Sequence, residues 1–168
     1  LCCLCPRTVL AGLAPPEDAN AAGEATNVAM ASEEVVVNIE PLSPSKSTAP
    51  HGVPLIGRVA ATFALVNQGA ETEIVDVRFP LVLGDDPTLA TRVEAFEAWV
   101  NGEPAAVDKV AGNDGSDIWA TWTVVFPAGH TVRLHLAYDM YPVADHPWSH
   151  FVYTLASGAG WRGPIGEG

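Results

Sequence analysis

Ile118–Tyr138 reads IWATWTVVFPAGHTVRLHLAY, and the fold class follows from this stretch. Side chains alternate across a β-strand, so a strand with one buried face carries apolar residues at every second position. Ile118, Ala120, Trp122, Val124 and Phe126 fall on one side of the first half; Val132, Leu134, Leu136 and Tyr138 fall on one side of the second. A helical period of about 3.6 residues would scatter both sets. Pro127-Ala128-Gly129-His130 lies between them, and the three pieces together predict a hairpin.

The same pattern continues upstream. Glu34–Glu40 (EVVVNIE) is rich in β-branched residues and predicts a first strand, whereas the Pro- and Ser-laden stretch 41–54 predicts a loop. Arg58–Asn67 alternates, with Val59, Ala61, Phe63 and Leu65 on one face. Asn67–Ala70 supplies a turn, and Glu71–Leu81 alternates again, Ile74, Asp76 and Arg78 against Val75, Val77 and Phe79, which predicts a second hairpin-like pair. Gly84–Thr91 suits a turn, or one helical turn begun at Asp86 with Pro87 in the first position. Arg92–Val100 fits a helix or a strand; the Asn101-Gly102 that follows, before Glu103–Val107, is a type I′ turn signal and decides for strands. Gly112–Asp117 reads as a loop, and Ser149–Leu155 as a last strand. About seven or eight short strands at roughly ten-residue spacing predict an all-β fold, an antiparallel β-sandwich that is immunoglobulin-like or related.

Composition narrows the function classes. The chain has 168 residues, 8 basic against 20 acidic, and a formal charge of −12. That length suits one domain, and that charge repels phosphate backbones, so no nucleic-acid partner is expected. No polybasic cluster marks an anionic membrane surface, and direct membrane insertion by this stretch is not expected. The 3 cysteines all fall in the first five positions, at Cys2, Cys3 and Cys5. Neither a disulfide framework nor a zinc site with a second ligand pair can be read from them. Residues 1–26 are apolar and then rich in small residues, with Ala19-Asn20-Ala21-Ala22 as a cleavage-like run; they read as a degraded signal peptide or disordered leader, ahead of a sandwich domain over 27–168. The expected localisation is therefore extracytoplasmic.

The most specific motif is Phe151-Val152-Tyr153-Thr154-Leu155-Ala156-Ser157-Gly158-Ala159-Gly160-Trp161-Arg162-Gly163-Pro164-Ile165-Gly166. It resembles the Y-x-L-x-T-G-A-x-W-x-G-x-I-G signature of a bacterial family of exported or membrane-anchored proteins, a domain of unknown function, and departs from it at Ser157, where Thr is commoner. Asn27–Val37 is similar to that family's opening strand, Ala60–Leu81 to its V-x-F-P-L hairpin, and Phe126–Tyr138 to its F-P-x-G hairpin. The resemblance implies an envelope location, no known activity, and a sandwich incomplete at its C-terminus, because the family pattern runs on past Gly166. Physically, Gly158, Gly160, Gly163 and Gly166 allow close backbone approach, Pro164 fixes a bend, and Trp161 is a large plug to bury among them. These six residues form a candidate binding or structural loop.

Candidate chemistry is sparse. Asp139, Asp145, His146 and His150 are the densest set of potential metal ligands, but a four-residue His spacing converges only on a helix, which Pro147 opposes. Asn113, Asp114, Ser116 and Asp117 lack the closing Glu of a calcium loop. No nucleophile elbow, phosphate-cradling loop or marked carboxylate pair is present. No cofactor and no catalytic residue is expected. Trp99, Trp119, Trp122, Trp148 and Trp161 are the rings a sugar-binding module would use; Trp119 and Trp122 differ by an odd number, so with Trp122 inward Trp119 is the candidate exposed aromatic, expected beside an edge or a loop. The resulting expectation is a non-catalytic interaction or scaffold domain of the cell envelope, offering loops or an edge strand to another protein. A carbohydrate-binding module is the alternative and a metal-dependent hydrolase fragment the third reading.

Overall fold

The computed structural model describes residues 26–41, 55–83, 91–111, 118–145, 148–151 and 161–162. Its strands are β1 (Val28–Pro41), β2 (Leu55–Asn67), β3 (Glu73–Pro80), β4 (Val82–Leu83), β5 (Thr91–Val100), β6 (Glu103–Pro104), β7 (Asp108–Ala111), β8 (Ile118–Phe126), β9 (Thr131–Tyr141), β10 (Val143–Asp145) and β11 (Trp148–His150). They form a six-stranded sheet in the order β1-β2-β9-β5-β4, with β6 on β5, a three-stranded sheet β3-β8-β7, and a small β10-β11 ladder. Every pairing is antiparallel. The fold is an all-β antiparallel sandwich.

The alternating apolar faces meet between the two larger sheets. Phe63, Leu65, Leu134 and Leu136 from one sheet, and Val77, Phe79, Ala120 and Phe126 from the other, are buried in one contiguous core. Each large side chain so covered contributes about 1.5–3 kcal/mol. Phe96 is the aromatic hub, with ring centroids 5.1 Å from Phe79, 5.8 Å from Trp122 and 6.1 Å from Tyr138.

The two-way reading of Arg92–Val100 has a structural cause. The β5–β9 register slips between Glu94 and Glu97, and Ala95 sits at φ 49°, so a β-bulge lies there. The extra residue lets Val93, Phe96 and Ala98 all face the core, which imitates helical spacing in a strand. A second slip between Met30 and Ser32 does the same in β1. Asn101 and Gly102, both at positive φ, make the expected tight turn between β5 and β6.

Two expected hairpins are instead arches between sheets. β8 pairs with β3 and β7, whereas β9 pairs with β2 and β5; likewise β2 and β3 lie in different sheets. At the first arch the His130 amide donates to the Pro127 carbonyl at 3.1 Å, with Gly129 at φ 70°. That geometry is a type II turn, whose twist splays the flanking strands rather than pairing them. At the second, the fully buried Asn67 substitutes for hairpin bonds: its Nδ2 donates to the Glu71 and Phe126 carbonyls at 2.8 Å each, and its Oδ1 accepts from the Gly69 amide at 2.8 Å. The arches are tied together, the Gly129 amide donating to the Asn67 carbonyl at 2.9 Å. Alternation names the buried face of each strand but is identical for a hairpin and an arch.

Candidate functional site

Of the C-terminal loop candidate, Trp161 is described, and it is a plug at one pole of the sandwich. Trp161 is 1% exposed and meets Phe126 edge-on, centroids 6.2 Å apart. Next to it the Arg162 amide donates to the Val28 carbonyl at 2.9 Å, and the Arg162 guanidinium donates to Asn27 Oδ1. Glu73 closes the cluster by accepting from Thr26 Oγ1 at 2.6 Å, Asn27 Nδ2 at 2.8 Å and the Asn27 amide at 3.0 Å. Partial burial pushes the Glu73 carboxyl up, but those donors and the nearby Arg162 charge together outweigh it and hold the group below its ordinary value. Trp161 offers no open ring face for stacking. Gly158, Gly160, Gly163, Pro164 and Gly166 lie outside the described residues.

Trp119 was expected beside an edge or a loop. β8 is the middle strand of its sheet, so Trp119 lies between Pro80 of β3 and Val110 of β7 rather than beside an edge. It is half-buried, and the Arg78 guanidinium carbon lies 4.7 Å from its ring centroid. A cation over a flat ring is favourable and occupies the face a sugar would use. Trp122 points inward, as its parity requires, at 4% exposure. On the outward face of the other sheet, half-buried Trp99 packs on His135 with centroids 5.2 Å apart, and His135 Nδ1 lies 3.2 Å from Thr62 Oγ1.

Of the metal candidates, Asp139, Asp145 and His150 fall within the described residues. Val143 pairs with His150 and Asp145 with Trp148, which puts Asp145 and His150 at opposite ends of the small ladder. His146 and the 113–117 loop lie outside the described residues. Among the described residues no group of three or more His, Cys, Asp or Glu side chains could hold a metal ion. Among them, too, no helix is long and apolar enough to cross a membrane.

Two surfaces emerge that residue-by-residue reading does not single out. The first is the free edge of β1. Among the described residues β1 pairs only with β2, and its second half carries Val36 at 46%, Val37 at 40% and Ile39 at 57% exposure. The second is a cleft of about 930 Å³ beside β8, lined by residues that include Val100, Glu103, Ala105, Asp76, Asp108 and Trp122. β7 covers β8 only from Ile118 to Thr121; beyond that, Trp122–Val125 pair with β3 on one side and, among the described residues, with no strand on the other. The gap arises because the chain bends away: Ala105 donates to the Ala98 carbonyl at 2.8 Å, still bound to the six-stranded sheet, and rejoins β8 only at Asp108. Pro104, which has no amide to donate, was the signal in the sequence that a strand over Glu103–Val107 would be interrupted.

No protein-family model matches the chain, and no curated protein matches it. A solved structure shares the fold: a Legionella pneumophila protein described as "a putative nutrient binding protein", with a TM-score of 0.67 and 17% identity over 91% of this chain. The match spans 50% of that protein's chain, so the present chain corresponds to about half of its length. At that identity the likeness concerns architecture alone. What the described surfaces offer chemically is main-chain donors and acceptors along two strand edges, flanked by apolar residues on β1 and by carboxylates at the cleft.

Proposed function

We propose that this chain is a non-catalytic interaction domain of the cell envelope that engages another protein through the free edge of β1. One observation carries the reading. Soluble proteins protect sheet edges with charge, proline, bulges or short strands. Between Glu34 and Glu40, β1 has none of these over Val35-Val36-Val37-Asn38-Ile39, and apolar side chains are exposed on both of its faces. A partner strand laid along this edge would satisfy the backbone groups that no described strand pairs and cover the exposed valines and isoleucine together. The envelope location rests on the resemblance of the C-terminal motif and on the leader-like first residues. A binding role also agrees with the description given to the Legionella protein, which shares the fold.

The test is photo-cross-linking from position Val37 of the full-length protein in its native cells. A discrete adduct with one envelope protein, lost when Val36→Lys and Ile39→Lys are introduced together, is the expected result. A photoprobe at Val37 that yields only random or no adducts would refute the reading. A glycan role is the second reading, supported by the outward, half-buried ring of Trp99. A glycan array with Trp99→Ala and Trp119→Ala controls checks it; Trp161 is a poor control because its ring is sealed in the core.

A further inference from the structure

We infer that the cleft beside β8 is a second, separate recognition site, which takes an extended cationic peptide as an added strand. The argument begins with the backbone. Trp122–Val125 lie in a sheet, are bonded to β3 on one flank, and end the cover of β7 at Thr121. A strand segment that, among the described residues, has no neighbour on one flank is a template for another strand. Here it is recessed in a cleft of about 930 Å³ rather than spread on an open surface, so an occupant would be held on three sides: by β8, by the Asn101–Ala106 segment, and by Asp108 at the start of β7. The occupant would continue the line of β7 where the chain itself departs.

Charge then selects the occupant. Asp76, Glu103 and Asp108 line the cleft, and among the described residues no Lys or Arg does. Asp76 is oriented by Thr123, whose Oγ1 donates to it at 2.6 Å. Val100, Pro104, Ala105, Val124 and Val125 supply apolar walls between the carboxylates. The lining thus suits a strand that alternates cationic and apolar side chains, one set toward the acids and the other toward the walls. Trp122, 4% exposed, also lines the cleft, and its indole N–H has no acceptor among the described residues. A second copy of this chain is a poor occupant, because two molecules of charge −12 repel. The site uses a different strand from the β1 edge and stands or falls independently of it.

The test uses the full chain and a short capped peptide of alternating lysine and valine, followed by amide NMR and hydrogen exchange. Binding is expected to slow exchange at Trp122–Val125 and to disappear when alternate peptide nitrogens are methylated, since methylation removes the strand-forming donors while keeping the charge. A glutamate–valine peptide should not bind. The combined Asp76→Asn, Glu103→Gln, Asp108→Asn variant should bind the lysine peptide about tenfold more weakly, whereas Val36→Lys with Ile39→Lys should leave binding unchanged. Equal binding of the methylated peptide would mean charge adsorption alone and overturn the proposal. So would perturbation confined to β1, concentration-dependent protection without peptide, which would indicate self-pairing, or protection in the free chain of those Trp122–Val125 amides that point away from β3, which would indicate that one of its own segments fills the cleft.

Discussion

Ala95 holds a left-handed backbone conformation, φ 49°, in the middle of a strand, where an L residue loses about 1 kcal/mol to the contact of its Cβ with the backbone. Replacing it with Gly should stabilise the fold by roughly 0.5–1 kcal/mol, part of the relief being offset by the freer unfolded chain; a rise in the urea midpoint would show it, and a fall would mean that the Ala95 methyl is needed in packing. Trp161→Ala removes a sealed plug and should cost about 3–5 kcal/mol, read from the same unfolding curve. Glu73 gives a pH signature. Its carboxyl is held below the ordinary 4.5, so its contribution is complete above that value and is lost as the pH falls through the depressed folded-state pKa. Glu73→Gln should therefore weaken the fold at neutral pH, with the difference from wild type closing in acid; a gap that persists at pH well below the carboxylate range would locate the effect in shape rather than charge.

At the level of strands, most inward faces were legible, Ile118 at 44% exposure being an exception, and most pairings were not. Val59, Phe63, Val77, Trp122 and Leu134 face the core because alternation leaves them no other side. What alternation cannot express is which strand lies alongside, and two of the three expected hairpins became arches for that reason. The Asn101-Gly102 turn was readable because its dihedral demand is local. Trp119 was placed outward correctly by parity, but its partner Arg78 sits on a neighbouring strand far away in sequence, and nothing in either segment announces the contact. The β8 cleft was invisible for a related reason: it exists where a strand fails to arrive. Charge on the β1 edge offers an element-level check of stability. Because Val36 and Ile39 are exposed, the paired lysine substitutions should shift monomer stability by no more than about 0.5 kcal/mol, so that any lost adduct reflects the edge and not unfolding.

Across the molecule, the long ladders β2–β9, β3–β8 and β5–β9 join segments distant in sequence, with Gly57 opposite Met140 and Val66 opposite Thr131, while β4–β5, β5–β6, β7–β8 and β10–β11 are short-range pairings. Non-local pairing must close long loops before it gains contacts, so refolding followed by Trp fluorescence in stopped flow should fall in the range of about milliseconds to seconds; a microsecond phase carrying the whole amplitude would contradict this topology. The latch that joins Asn27, Val28 and Arg162 also fixes how the domain responds to tension. The start of β1 and Arg162 are clasped at the same pole, so traction applied between them first opens the clasp and then peels β1 from β2 pair by pair, beginning at Val28 and Asn67. Strung in a longer polypeptide, such a unit would yield like a zip fastener at low force, not resist like a rivet in shear.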